Sequence, residues 1–265
     1  LRLAACLLFA VSTLGLAASA QPVRVHAAGS LRAALEEAGR AYGDERSGAE
    51  VSFVFGASGL LRERLAAGEA TDVFASANME HPRALAEAGK AGRVRMFARN
   101  RLCALARPEA KAASSNLLER MLDPAIKLGT STPKADPSGD YAWQLFARAE
   151  ALRPGAREAL ERKALQLTGG PASPPPPKDR NVYAMLVARG DADIFLTYCT
   201  NAVLAKKAEP SLHVVEVPEP LAVGADYGLV VMNDARPAGA AFAEFVLGEA
   251  GQAVLRAHGF APPAP

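Results

Sequence analysis

Ser30 and Ser58 occupy matched settings. In VRVHAAGSLRAALEEAGRAY and VSFVFGASGLLRERLAAG, an apolar run rich in β-branched and aromatic residues passes through Gly or Ala to a serine. Apolar residues then recur at helical spacing: Leu31, Leu35, Ala38 and Tyr42 after the first, Leu61 and Leu65 after the second. Each serine is predicted at a helix N-cap, where unpaired backbone N–H groups and the positive end of the helix dipole suit an anion. A single such serine is most simply a cap for its own helix. Two in the same strand–turn–helix context, facing one another, would form a clamp of hydroxyl and amide donors for an oxyanion. The alternative, Ser58 in GASG as a hydrolase nucleophile, lacks the GxSxG elbow and an obviously placed histidine base. No enzymatic activity is expected.

The chain that must position these groups has 265 residues, half of them hydrophobic, which is enough for one large or two modest domains. Its 30 basic and 28 acidic residues nearly cancel, with no basic run interleaved with aromatics, so nucleic acid is not an expected partner. Residues 1–20 read as a secretory signal peptide: Arg2, an apolar stretch to about Leu16, then Ala17, Ala18, Ser19 and Ala20. The stretch is short for a membrane span. LAAC at residues 3–6 resembles a lipoprotein box, but its apolar region follows Cys6 instead of preceding it.

Export would leave Cys103 and Cys199 where disulfides are permitted. Both follow strand-like sequence, so a bridge between neighbouring strands and unpaired burial both remain open. Neither they nor the four histidines show metal-ligand spacing. His26, alternating with Val23 and Val25, reads as a residue at the edge of the core.

From Val23 onward strands alternate with helices: VRVHA, VSFVF, TDVFASA and RLCALARP, each pair separated by a helical pattern, which predicts parallel strands with crossover helices. Helices are predicted over YAWQLFARAEAL and PGAREALERKALQL, and an extended surface loop over the proline-rich segment 169–179. A helix from Asn181 to Arg189, strands DIFLTYC, LHVVEVP and YGLVVMN, and a final helix pair complete the pattern. In such α/β folds ligands bind at the carboxyl ends of strands, where Ser30 and Ser58 fall.

The segments AGSLRAAL, FGASGLLRERLAAGEATDVFASA, GTSTPKADPSGDYAWQLF and DIFLTYCTNAV resemble, in order and spacing, those of periplasmic molybdate-binding proteins of ABC importers. That resemblance implies a two-lobed α/β fold of the type II periplasmic-binding-protein class, each lobe a mostly parallel sheet flanked by helices, with two crossing strands as hinge. It places residues 21–101 and 221–265 in lobe I and 102–220 in lobe II, with crossings near Arg101 and Leu221. It also implies a ligand, molybdate or tungstate, held by Ser30 and Ser58 from one lobe. The backbone near Ser138, the backbone of Val182 and the Tyr198 hydroxyl would serve from the other. The implied partners are that oxyanion and the membrane permease of an ABC importer; the protein would be periplasmic and monomeric, without a further cofactor.

Hydroxyl and amide donors can hold a dianion without a neutralising arginine, through charge-assisted hydrogen bonds and helix dipoles in a water-poor cleft. Such a site disfavours phosphate, which at neutral pH carries a proton and needs an acceptor. Molybdate, tungstate and sulfate want donors only. The chain departs from the family at Asn201, where Asp is common, at the turn DPSGDY, and at Cys199 beside Tyr198. Asp140, next to that turn, is expected to face solvent. Pointing inward it would repel a dianion or accept a proton, which opens sulfate, another oxyanion or a small carboxylate as cargo.

Overall fold

The computed structural model describes residues 21–46, 48–177 and 180–263. The expected signal peptide lies outside these residues. Strand β1 (Val23–Ala28) pairs in parallel with β2 (Val51–Gly56) and β3 (Val73–Ser76). Helix α1 (Arg32–Glu45) crosses from β1 to β2, burying Leu35, Ala38 and Tyr42 of the apolar stripe read from the sequence together with Ala34, while Leu31 of that stripe is buried in the turn just before the helix. Helices α2 (Ser58–Ala66) and α3 (Glu80–Glu87) follow β2 and β3.

Next comes β4 (Arg95–Ala106), the longest strand, and then α4 (Leu117–Leu122) and β5 (Leu128–Ser131). Helix α5 (Pro137–Leu152) packs against α6 (Ala156–Lys163), which leads into β6 (Leu165–Thr168). The sequence pattern carries the α6 helix through ALQL. Instead Leu165, Gln166 and Thr168 pair in parallel with Gly129, Thr130 and Ser131, because sheet pairing outweighs the propensity of so short a segment. The prolines 174–177 have no regular structure, and Pro174, Pro175 and Pro176 are exposed, as suits a run lacking N–H donors. The chain continues through α7 (Val182–Ala188), β7 (Ile194–Tyr198), α8 (Cys199–Ala208), β8 (His213–Glu216), β9 (Gly224–Val231), α9 (Pro237–Leu247) and α10 (Glu249–Ala257).

Among the described residues the strands form one mixed sheet in the order β2-β1-β3-β9-β4-β7-β5-β6, with β8 on β4. The outer pairings, β1 with β2 and β3, and β5 with β6 and β7, are parallel as expected. The antiparallel pairings all involve β4 or β9. Strand β4 changes partner midway: Arg95–Arg101 pair with β9, whereas Leu102–Ala106 pair with β7 and Cys103–Ala106 also with β8. Beside that switch Cys103 and Cys199 form a disulfide, resolving the alternative that the sequence left open. It closes a loop of 96 residues.

On the β1–β3 side, Tyr42 meets Phe242 and Phe245 edge-on at 5.3 and 5.4 Å, locking α1 to α9. The fully buried Asp72 carboxylate fastens three elements there. It accepts hydrogen bonds from the backbone N–H of Arg24 (2.7 Å) and of Arg236 (3.1 Å) and from the Arg236 guanidinium. Burial alone would raise its pKa, but the Arg236 and Arg24 hydrogen bonds outweigh that and hold the carboxyl well below the usual range. A depressed folded-state pKa contributes stability that is present above the unfolded value and lost as pH falls through the folded one. Asp72→Asn should therefore lower unfolding free energy by about 2 kcal/mol at pH 7, and the gap should narrow only below about pH 4. Urea denaturation at a series of pH values measures both.

Candidate functional site

Neither serine caps its helix. Ser30 lies inside a single 3₁₀ turn, Gly29–Leu31, and Leu31 occupies the cap position of α1. Ser58 is the first residue of α2, with Ala57 at the cap and no side-chain capping bond. The expectation of N-capping serines is thus corrected, and the reason is long-range: both hydroxyl oxygens are engaged across the fold. Ser58 Oγ accepts a hydrogen bond from the backbone N–H of Ala77 at 3.1 Å. Ser30 Oγ lies 3.0 Å from the Tyr227 hydroxyl.

A backbone N–H can only donate, so Ser58 is held as an acceptor and its own proton remains available to a ligand. Ala77, immediately after β3, is also the meeting point with Tyr198, whose hydroxyl donates to the Ala77 carbonyl at 3.4 Å. Tyr198 and Tyr227 rings are 5.5 Å apart. Ser30, Ser58 and Tyr198 are therefore brought together around Ala77 and Tyr227, although they come from three separate parts of the chain. Burial pushes the Tyr198 and Tyr227 hydroxyls well above their ordinary pKa, so both stay protonated and able to donate. Tyr227 was missed by the motif reading. The available signal was a phenol in an otherwise apolar strand, since a buried tyrosine hydroxyl needs a partner.

Ser138 and Val182 sit at the first turns of α5 and α7. Asp136 caps α5 and its Oδ1 accepts from the Ser138 backbone N–H at 3.0 Å, so the amide expected to serve an anion is engaged by a carboxylate here. The Ser138 hydroxyl is buried without a hydrogen-bond partner, as is that of Thr130 on β5. Val182 packs on the cluster of Cys103, Val187 and Phe195, and Asn181 caps its helix by accepting from Ala184 N–H at 3.0 Å. Asn201 is buried and donates to Thr197 Oγ1 at 3.2 Å.

Asp140 does not stand free in solvent. It is half-buried, and its Oδ1 accepts from the Lys134 backbone N–H at 2.7 Å, pinning the loop before α5, where Lys134 itself has φ +68°. Burial raises its pKa. Burial also pushes the Asp136 carboxyl up to about 6; the Ser138 N–H and Ser131 hydroxyl offset part of this, and the nearby Asp140 charge adds to it. The sequence signal for Asp136 was present in Asp-Pro-Ser, an acidic cap followed by proline at the first helical position.

The loop before α5 touches α2 directly. Gly59 N–H donates to the Ala135 carbonyl at 2.8 Å, and a Cβ on Gly59 would lie 2.3 Å from the Lys134 carbonyl oxygen and 2.6 Å from that of Ala135. Glycine is required for this approach. An open hollow of about 660 Å³ lies elsewhere, lined by Glu36, Arg40, Asp44 and Phe53 among others. Among the described residues Cys103, Cys199 and Glu216 come within metal-ligating distance of one another, but both sulfurs are in the disulfide.

Two outcomes are expected. A raised folded-state pKa for a carboxyl costs stability above that pKa and costs nothing below the unfolded value. Asp136→Asn, which keeps a capping oxygen, should thus stabilise the protein by about 1–2 kcal/mol at pH 7.5, with the gain fading toward pH 4 in thermal melts. Gly59→Ala should leave secondary structure intact but separate α2 from the Lys134–Ala135 loop, seen as a larger radius of gyration in solution scattering.

The family model for bacterial extracellular solute-binding proteins matches residues 23–261. An uncharacterized protein of Pasteurella multocida, PM1146, is 36% identical over 185 residues, covering 69% of this chain and 76% of that protein. The fold is similar to that of the periplasmic molybdate-binding protein of Azotobacter vinelandii (TM-score 0.72, 17% identity, 91% of this chain and 100% of that one). It is also similar to the sulfate-binding protein SubI of Mycobacterium tuberculosis (TM-score 0.75, 18% identity, 93% and 88%). With hydroxyl donors gathered where two parts of one mixed sheet meet, and a family match running through nearly all of the described residues, the chain belongs to the bacterial extracellular solute-binding proteins.

Proposed function

We propose that this protein captures a tetrahedral oxyanion, molybdate or tungstate foremost, in the periplasm and delivers it to the permease of an ABC importer. The observation that carries this reading is the engagement of Ser58 Oγ by the Ala77 N–H at 3.1 Å, which leaves the serine proton free to donate. Tyr198, donating to the same residue's carbonyl at 3.4 Å, supplies a second hydroxyl that can turn to a ligand. The Ser30 hydroxyl after β1, the unpartnered Ser138 hydroxyl and the backbone of Val182 complete the proposed donor set. Hydroxyl donors suit a fully ionised dianion in a site shielded from water. Ser58 is held by a backbone amide and not by a base, which supports binding without turnover.

A second reading has an observation of its own. Asp136, a carboxylate at the α5 cap beside Ser138, is an acceptor next to the proposed donor set and favours an anion that carries a proton, such as hydrogen phosphate.

Calorimetric titration of the chain from Gln21 onward with molybdate, tungstate, sulfate and phosphate separates these readings. Tight binding of molybdate and tungstate alone supports the first, and preference for phosphate supports the second. Ser58→Ala should weaken oxyanion binding about 10- to 100-fold, the loss of one hydrogen bond to a charged group, with the fold retained by circular dichroism. Unchanged affinity in that variant would remove the central support for an anion site here.

A further inference from the structure

The geometry points to Tyr227 and Asn100 as positioning residues that aim the Ser30 hydroxyl at the bound anion and tie its orientation to α8. This inference rests on the oxyanion reading above and concerns residues outside the proposed donor set.

The direction of the hydrogen bonds follows from the chemistry of each group. Asn100 Oδ1 accepts from the backbone N–H of Arg101 at 2.9 Å, which fixes which end of the amide is which. Its Nδ2 has two protons and two acceptors: Thr200 Oγ1 at 2.9 Å and the Tyr227 hydroxyl at 3.4 Å. An amide nitrogen cannot accept, so the Tyr227 oxygen receives from Asn100, and in the relay inferred here it gives its own proton to Ser30 Oγ, 3.0 Å away. Ser30 is thereby held as an acceptor, and its proton is left pointing away from Tyr227. Ser58 reaches the same condition through the Ala77 amide. Two serines on different elements are thus polarised alike by two unrelated devices.

Tyr227 is fully buried, and Phe97 and Phe260 pack edge-on against its ring at 6.3 and 5.5 Å, so the phenol has one place to stand. A tyrosine whose only task was to fill the core would need no hydroxyl there. The relay also runs across the point where β4 changes partner. Asn100 is among the last residues of β4 paired with β9, and Thr200 lies in the first turn of α8, two residues after Tyr198. A shift of α8 relative to β9 pulls on Asn100 and through it on Tyr227 and Ser30. The hydroxyls of Ser30 and Tyr198, on opposite sides of the switch, are set together.

A double-mutant cycle on affinity tests this, using whichever of molybdate, tungstate, sulfate and phosphate binds the unmodified protein most tightly. Tyr227→Phe keeps the ring and removes only the hydroxyl, and should weaken binding about tenfold. Ser30→Ala should weaken it at least as much. The double variant should bind no more weakly than Ser30→Ala to within twofold, because Tyr227 has no serine left to orient. Asn100→Ala should behave as Tyr227→Phe does, and its effect should likewise vanish in the Ser30→Ala background. Equal cost of Tyr227→Phe with and without Ser30, or no cost in either, would overturn the positioning role while leaving the anion site in place. An unmodified protein that binds none of the four anions would remove the site itself, and the positioning role with it.

Discussion

Strand β4 is shared, and the rest of the molecule is arranged around that constraint. Its first half has β9 as its ladder partner and its second half has β7 and β8, so one continuous backbone belongs to two neighbourhoods of the same sheet. Hydrogen bonding along a strand is obligatory for both peptide groups of every residue, so a change of partner must fall at a definite place. Here it falls between Arg101 and Leu102, and the chemically notable groups crowd around it. Asn100 lies just before the change, the disulfide of Cys103 just after, and Tyr198 stands opposite Leu102.

The same constraint explains why hydroxyl donors from distant parts of the chain converge. Strands β1, β3 and β7 bring their carboxyl ends toward this region, which places Ser30, Ala77 and Tyr198 within reach of one another and of Ser58 on α2. Hydroxyl groups buried there need partners, and the fold supplies them for Ser30 and Ser58, whereas the Ser138 hydroxyl is left without one. The protons remain. A site built this way presents donors to a ligand while leaving few buried oxygens unpaired in its absence. Asp136 is the exception in character, a carboxylate with a raised pKa kept at a helix cap, where its negative charge is partly balanced by backbone amides.

Much of this was legible in the chain. The alternation of strands and helices, the apolar stripe of α1, the proline run without regular structure and the placement of Ser30 and Ser58 just after strands all follow from local patterning, because period and turn chemistry are properties of a dozen neighbouring residues. The end of α6 was not legible in this way. Leu165–Thr168 becomes a strand only because β5 offers an edge, a partner 36 residues upstream that no local window contains. Asp140 was read as a surface carboxylate, and its bond to Lys134 N–H depends on a turn whose left-handed residue is not glycine.

The sequence by itself determined the α/β class, the order of elements and the presence of hydroxyls at strand ends, since these depend on side-chain type and spacing. Tertiary structure alone decided what the hydroxyls do. Whether a serine caps its own helix or accepts from a residue across the sheet is a competition between a local bond and a long-range one of similar strength. Ser30 and Ser58 are 3.0 and 3.1 Å from partners 197 and 19 residues away, and that proximity exists only once the sheet has formed. The disulfide follows the same logic: 96 residues separate two cysteines that antiparallel pairing of β4 with β7 places side by side.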